Sequence, residues 1–287
     1  MKCKICDHNQ CKVLFSKKGK DQNLYYIVKC KSCGVIQTYP QPEEIKHLYQ
    51  KEYFERRTDR GYNNYLSEKL KNQLIKVWEL NLNDLNFYQY ENKIFQRELK
   101  PKLLEIGCAA GYFLEYMKNR HWEVMGVEIS EEMCEFAQKQ FHLNVINTDF
   151  LSLNFDYKSN FNCIVLWASI EHFKDPISVF KKVYDLLKDK GIFIFSTCRW
   201  GILAKIQKEK WRFMNVPEHL FFFNEKQLTK ILHEIGFKKV SMITYGSGLT
   251  AKPEMNFFYK LSKTILDKVV KLINQGDMLA MMFIKEK

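Results

Sequence analysis

Three acidic side chains occupy similar places in the sequence, because each follows a short apolar run. Glu105 ends "LLE", Glu128 ends "VMGVE", and Asp149 follows "NVINT". Glu105 is also followed closely by a turn of small residues, "GCAAG", from Gly107 to Gly111. Small residues let a ligand approach the backbone, and carboxylates accept hydrogen bonds or attract a cation. The pattern therefore predicts a binding site for a ligand with hydroxyl, amino or cationic groups.

These residues must be positioned by an alternation of strands and helices that begins at residue 102. The apolar patterns predict strands at 102–107, 123–130, 144–150, 161–170, 191–198, 237–246 and 277–286, and helices at 111–120, 131–141, 175–189 and 224–236. Such alternation predicts a doubly wound α/β fold with a largely parallel sheet. In such sheets ligands bind outside the carboxyl ends of the strands, which is where the three acids would lie.

The spacing of the acids predicts a binding site for adenosine. Glu128 lies 21 residues after Gly107, where a carboxylate can accept hydrogen bonds from two ribose hydroxyls. Asp149 can accept an adenine amino proton, while the adjacent Phe150 covers the ring. A dinucleotide would favour the turn G-x-G-x-x-G, but only two of those glycines are present. Three acids suit the cationic sulfonium of S-adenosylmethionine better than a pyrophosphate, so we expect that cofactor.

Five segments resemble the successive motifs of class I S-adenosylmethionine-dependent methyltransferases. In chain order they are "LLEIGCAAGYFLEYM", "VMGVEIS", "INTDF", "WASIEHFKDP" and "GIFIFSTC". The resemblance covers roughly residues 100–287 and is closest to the bacterial group with ubiquinone-biosynthesis and sugar methyltransferases. It implies a seven-stranded Rossmann-like sheet. Ala109 departs from the family pattern, which usually has glycine there.

The resemblance also implies roles for individual residues. It places Gly107, Cys108 and Gly111 along the methionine part of the cofactor with Glu105 nearby, Glu128 at the ribose, Ile129, Asp149 and Phe150 at the adenine, and Trp167, Ala168 and Ser169 facing the sulfonium and the acceptor. The alternatives are ordinary structural roles: Glu105 as a surface acid, Asp149 as a turn former and Trp167 as a core residue.

Two cysteine pairs lie near the N-terminus, Cys3 with Cys6 in "CKIC" and Cys30 with Cys33 in "CKSCG". Two such pairs, 23 residues apart, are typical of a closed tetrahedral zinc site with four thiolate ligands. The segment 1–42 is therefore predicted to be a zinc-ribbon-like module with a structural ion. The alternatives are unrelated cysteines or a single redox pair. The other five cysteines are interpreted as small buried hydrophobic residues.

Residues 43–100 are predicted to form a helical linker or cap, and residues 101–287 the methyltransferase domain. Within that domain, residues 199–223 form a long insertion after the fifth strand, as expected of a substrate cap. His219 lies in this insertion, and His172 follows the fourth strand. Either imidazole could act as a general base if the acceptor must lose a proton. A hydrogen-bonded structural role is the alternative for both.

The formal net charge of +12 is compatible with an acidic partner. We expect a small-molecule or glycan acceptor, methylated on oxygen or carbon. An RNA acceptor gripped by the zinc module, and a non-enzymatic zinc-ribbon interaction protein, are the alternatives. The stretch 257–273 could form part of an acceptor pocket, lie on a membrane surface or pack on the sheet. The charged N-terminus favours a cytoplasmic protein, and the oligomeric state stays open.

Overall fold

The computed structural model describes residues 1–44, 46–49, 53–54, 64–155, 159–249 and 257–286. Its centre is a seven-stranded sheet with the order β10-β11-β8-β7-β4-β5-β6. The strands are β4 (Lys102–Ile106), β5 (Glu123–Glu128), β6 (Val145–Asn147), β7 (Phe161–Trp167), β8 (Leu187–Cys198), β10 (Phe237–Tyr245) and β11 (Met278–Lys285). All seven lie where the sequence predicted strands, and the α/β fold with a doubly wound sheet is confirmed.

The direction of the strands brings their carboxyl ends together. Strands β4 to β8 pair in parallel, whereas β11 runs antiparallel to both β8 and β10. Every residue of β7 is buried, which explains its unbroken apolar sequence "FNCIVLW". The ends of β4, β5, β6, β7 and β8 therefore meet at one edge of the sheet.

Helices cover both faces of the sheet: α3 (Tyr112–Lys118), α4 (Glu131–Phe141), α5 (Pro176–Leu186), α7 (Glu225–Ile235) and α8 (Phe257–Leu272). The predicted helix 175–189 was too long at its C-terminal end, because residues 187–189 already belong to β8. Helix α7 begins with a capping box between Asn224 and Gln227 and ends at Gly236, whose φ is +115°.

Two helices precede the sheet, α1 (Glu68–Asp84) and α2 (Phe87–Phe95). The Ser67 hydroxyl caps α1 by accepting a hydrogen bond from the Leu70 amide. The buried side chain of Trp78 packs edge-on against Phe113 of α3, with ring centroids 5.4 Å apart. The region predicted to be a linker thus packs on the sheet domain where it is described. Much of 43–63 lies outside the described residues, so this part of the predicted linker is not described.

The N-terminal segment forms a second sheet, with β1 (Cys11–Lys18), β2 (Leu24–Cys30) and β3 (Ile36–Tyr39). Its fourth strand, β9 (Phe221–Phe222), comes from the predicted insertion and pairs antiparallel with β3. The rest of the insertion contains the short helix α6 (Ile202–Gln207). The insertion and the N-terminal module therefore share one sheet, which the sequence did not indicate.

Candidate functional site

Glu105 lies near the carboxyl end of β4 with its side chain buried. Its Oε2 atom makes no hydrogen bond with any residue that the structure describes. Burial, and then the nearby carboxylate of Glu128, raise the pKa of Glu105 well above its usual range. A buried carboxylate without a partner is costly. The position therefore suits a ligand that brings a positive charge or a hydrogen-bond donor.

Glu128 lies at the end of β5, and its carboxylate connects the turn after β4 to the residues that follow β5. Its Oε2 accepts a hydrogen bond from the Ala109 amide, and its Oε1 accepts one from the Ser130 amide, both at 2.8 Å. Burial raises the pKa of this carboxyl group. Because each carboxylate oxygen can accept a further hydrogen bond, Glu128 keeps capacity for ligand hydroxyls.

The glycines of the turn are required by the protein itself. Gly107 and Gly111 have φ values of +72° and +75°, which favour glycine. A Cβ at Gly107 would come within 2.9 Å of the Ser169 Cβ, and one at Gly111 within 2.7 Å of the Leu143 Cδ1. Cys108, between them, is buried. Glycine is therefore required at these two positions by the backbone conformation and by the close neighbours, whether or not a ligand also approaches the turn.

Ala109 has a φ of +45°, in the left-handed region where an L side chain is strained. Replacing it with glycine is expected to raise the free energy of unfolding by about 1 kcal/mol, because the strain is removed while the amide can still donate to Glu128. Denaturant unfolding measures this. Ala110, which lies outside the positive-φ region, is the matched control, and Ala110→Gly should be destabilising. Equal destabilisation by Ala109→Gly would show that no strain is stored there.

Of the residues predicted to face adenine, Asp149 and Phe150 follow β6, and Ile129 follows β5. The Asp149 carboxylate accepts hydrogen bonds from the amides of Leu151 (2.7 Å) and Ser152 (3.3 Å), so it does form a turn. The Phe150 ring is buried in the core, and the Lys182 Nζ lies 4.7 Å from its centroid. Ile129 is partly buried beside Glu128. Contact of these three side chains with adenine stays a prediction.

The end of β7 approaches the same turn. The Ser169 hydroxyl donates to the Ile106 carbonyl at 3.1 Å, and the Ala168 amide donates to the Ser196 carbonyl at 3.1 Å. Trp167 is largely buried and packs on Phe113, with ring centroids 5.4 Å apart. Its indole Nε1 has no hydrogen-bond partner among the described residues. The residue is therefore packed like a core side chain but retains a donor for a ligand.

The two predicted histidines are brought together at this edge. The ring centroids of His172 and His219 are 4.8 Å apart and the rings are nearly perpendicular. His172 follows Ser169 in a short 3-10 turn, and its Nδ1 lies 2.8 Å from the Tyr49 hydroxyl. The Nδ1 of His219 lies 3.7 Å from the Sγ of Cys198, at the end of β8. The insertion and two strand ends therefore meet at the histidine pair.

Sequence reasoning missed two residues beside this pair, Glu171 and Tyr49. Glu171 is buried, its Oε2 makes no hydrogen bond within the described part of the chain, and burial raises its pKa to about 7. Ligand atoms of Glu171, His172 and His219 all lie within 4.8 Å of one another, so the group could also hold a metal ion. The only sequence signal for Glu171 was its position in "IEH" after a buried strand.

The N-terminal module holds the backbone around His219. Thr38 of β3 is completely buried, and its hydroxyl donates to the His219 carbonyl at 2.7 Å. The Thr38 amide donates to the Leu220 carbonyl at 2.9 Å. The His219 amide in turn donates to the Asn215 carbonyl at 2.7 Å. The insertion is thus fixed to the module at the residue predicted to act on the acceptor.

The four predicted metal ligands converge. The Sγ atoms of Cys3 and Cys33, and those of Cys6 and Cys30, are 3.6 Å apart, and all four lie within 4.8 Å of one another. Thiolates about 2.3 Å from a tetrahedral zinc ion have comparable separations. The hydrogen bond from Cys33 lowers the pKa of Cys3 to about 5. The residues present therefore fit a closed structural zinc site.

Four of the five remaining cysteines are buried, as expected of small hydrophobic residues. Cys108, Cys134, Cys163 and Cys198 are buried. Cys11 is instead partly exposed and lies opposite Cys30 across the pair β1–β2. Its interpretation as a buried hydrophobic residue was wrong, because it is in a sheet of which one face is open to solvent.

We expect one zinc ion per chain in protein purified without a chelator. The double variant Cys30→Ser/Cys33→Ser should lose the metal, since two of four thiolates are removed. Metal analysis by mass spectrometry measures the content, and Cys134→Ser/Cys163→Ser, which leaves the cluster intact, is the control. Absence of zinc in the wild-type chain, or its full retention in the first variant, would contradict the assignment.

A family model described as a methyltransferase domain matches residues 64–242. The juvenile hormone acid O-methyltransferase of Bombyx mori is 25% identical over 177 residues, which are 54% of this chain and 63% of that protein. A ubiquinone biosynthesis O-methyltransferase of Actinobacillus pleuropneumoniae is 28% identical over 105 residues, 33% of this chain and 45% of that protein. The chain thus spans roughly half the length of the curated relatives it matches.

Solved structures share the fold at low sequence identity. A chain of the complex between the Haloferax volcanii Trm112 methyltransferase activator and a methyltransferase is 14% identical, with a TM-score of 0.52, and the match covers 77% of this chain and 98% of that one. The plantazolicin methyltransferase BpumL, solved with a pentazolic desmethylPZN analog and S-adenosylhomocysteine, is 18% identical with a TM-score of 0.50, and the match covers 72% of this chain and 84% of that one. With the family model matching more than half of its length, this chain belongs to the methyltransferase domain family.

Proposed function

We propose that this chain transfers the methyl group of S-adenosylmethionine to an oxygen or carbon atom of a small-molecule or glycan acceptor. The observation that carries the proposal is a group of buried polar atoms at one edge of the sheet that lack hydrogen-bond partners in the described structure. They are Glu105 Oε2, Trp167 Nε1 and Glu171 Oε2. Since buried polar groups are nearly always hydrogen-bonded, such a concentration is expected where a ligand completes the bonding.

The residues at this edge fit the cofactor. Glu105 is a buried carboxyl group that a positive group of the cofactor would hold in its ionised form, and Glu128 retains acceptor capacity for the ribose hydroxyls. An anionic pyrophosphate at this turn would instead face the buried carboxyl group of Glu105. When bound, S-adenosylmethionine supplies an already activated methyl group, so the main task of the protein is to align the acceptor.

The histidine pair supports an acceptor that must lose a proton. Imidazole is the side chain best suited to accept a proton near neutral pH. His219 is buried beside His172 and three residues from Phe222, whose ring packs near it with centroids 6.2 Å apart. The apolar surroundings would exclude water from the transfer. The small-molecule relatives named for O-methylation are compatible with such an acceptor.

An RNA acceptor is the second candidate, because the net charge is +12 and a zinc module precedes the domain. The contacts of that module favour the small-molecule or glycan acceptor. Its sheet includes β9 of the insertion, and Tyr25 and Ile27 are buried in a cluster with Trp200 and Trp211. The module thereby supports the histidine region, a role that does not require RNA.

The experiment offers both acceptor classes to the zinc-containing full chain with methyl-labelled S-adenosylmethionine. The acceptors are hydroxylated small molecules, nucleotide-linked sugars and total RNA. We expect label in the low-molecular-weight fraction. Label in RNA, with binding to RNA that falls steeply with salt, would favour the second candidate. Cofactor binding without S-adenosylhomocysteine formation from any acceptor in the panel would favour a non-enzymatic role.

A further inference from the structure

Helix α8 turns a broad apolar face towards solvent. The exposed large apolar side chains on the helix and just past its end are Phe258, Leu261, Ile265, Leu266, Val269, Leu272 and Ile273. Their spacing by three and four residues places them on one side of the helix. Only Val270 among the apolar side chains from 258 to 273 is buried. Packing of the apolar face on the sheet, one of the options left by the sequence, is therefore not what the structure has.

Polar contacts hold the opposite side of α8 to the protein. Asp267 accepts a hydrogen bond from the Ser247 amide at 3.0 Å and is paired with Lys263. Lys271 contacts the carboxylate of Asp84 at the end of α1. These contacts orient the helix so that its apolar side points outward. An amphipathic helix of a globular protein usually packs its apolar side on the core.

Positive charge borders this apolar face. Lys268 is exposed next to it on the helix, whereas Lys263 and Lys271 are paired with carboxylates on the opposite side. The neighbouring helix α6 exposes Ile202 and Ile206, with Lys205 between them. The two helices border the same loop, because Leu203 Cδ1 lies 3.5 Å from where a Cβ on Gly248 would stand.

We propose that the apolar face of α8 docks onto an anionic lipid surface. An exposed apolar helix face bordered by lysines is typical of helices that lie in the membrane interface. Anionic headgroups complement the lysines, whereas pairing with a second copy of the chain would bring like charges together. No helix in the described ranges is both long and apolar enough to cross a membrane. The proposal does not depend on methyl transfer.

The test is co-sedimentation of the full chain with vesicles of phosphatidylglycerol and phosphatidylcholine, and with vesicles of phosphatidylcholine alone. We expect binding to the anionic vesicles that weakens as salt is added. Ile265→Ser/Leu272→Ser should lower the vesicle affinity by about tenfold or more, since less apolar surface enters the interface. Lys268→Glu should also weaken binding.

The matched control is Leu24→Ser/Leu99→Ser, which removes two exposed leucines outside α8 and its neighbours α1 and α6 and should leave vesicle binding unchanged. Affinity for S-adenosylmethionine should be unaltered in all variants, which shows that they fold. Equal vesicle binding by the Ile265/Leu272 variant and the wild type would overturn the proposal. So would a dimer in sedimentation velocity that this variant dissociates while the wild type ignores vesicles, because the face would then be an interface between copies.

Discussion

Turnover in His219→Ala is expected to fall by roughly 100-fold or more, the usual contribution of a positioned general base. His219 is buried at the junction of the insertion, β8 and the turn after β7, and its ring lies 4.8 Å from that of His172. No other element supplies an imidazole to this pair within the described residues. Affinity for S-adenosylmethionine should stay nearly unchanged, because Glu105 and Glu128 are untouched. Initial rates and calorimetry measure the two quantities.

The control for this prediction is His233→Ala, which removes an exposed imidazole from α7 and should keep full turnover. If turnover survives in His219→Ala but collapses in His172→Ala, the proton acceptor is His172. Full activity in both variants would contradict a role for the pair. An amine or an already ionised nucleophile would then be the better acceptor.

The second large effect is expected for Glu128→Ala, in the affinity for S-adenosylmethionine. Losing a charged hydrogen-bonding group costs about 1.5–3 kcal/mol, which corresponds to at least about tenfold in affinity. The variant also removes the acceptor of the Ala109 and Ser130 amides, which shapes the turn around the ligand. Isothermal titration calorimetry measures the change.

Glu131→Ala is the matched control, since Glu131 is exposed at the start of α4 and carries the same charge. It should bind the cofactor like the wild type. Equal affinity in Glu128→Ala and Glu131→Ala would mean that another carboxylate holds the ribose. Circular dichroism of Glu128→Ala checks independently that the variant keeps its secondary structure.

The sheet could be predicted from the sequence because its strands are short apolar runs separated by amphipathic helices. The placement of Glu105, Glu128 and His172 at or just after the ends of β4, β5 and β7 followed from the same pattern, since parallel strands place their carboxyl ends at one edge. The pairing of β9 with β3 could not be predicted. A strand of two residues has no periodicity, and its partner lies more than 180 residues away in sequence.

Burial was the other property that the sequence did not provide. Glu171 reads as a surface acid, yet it is buried beside two histidines, because the insertion folds over the end of β7. The burial of the Phe150 ring, with the Lys182 Nζ 4.7 Å from its centroid, was also not evident from the sequence, and its contact with adenine stays a prediction. The direction in which α8 turns its apolar face depends on ion pairs with distant residues such as Asp84.

Calorimetric titration of the wild-type chain with S-adenosylmethionine tests the central claim most directly. We expect one binding site per chain, competition by S-adenosylhomocysteine, and no binding of NAD at the same site, because the turn lacks the pattern G-x-G-x-x-G and follows the buried carboxyl group of Glu105. No binding of S-adenosylmethionine to the folded, zinc-containing chain, or tighter binding of NAD in its place, would contradict the account.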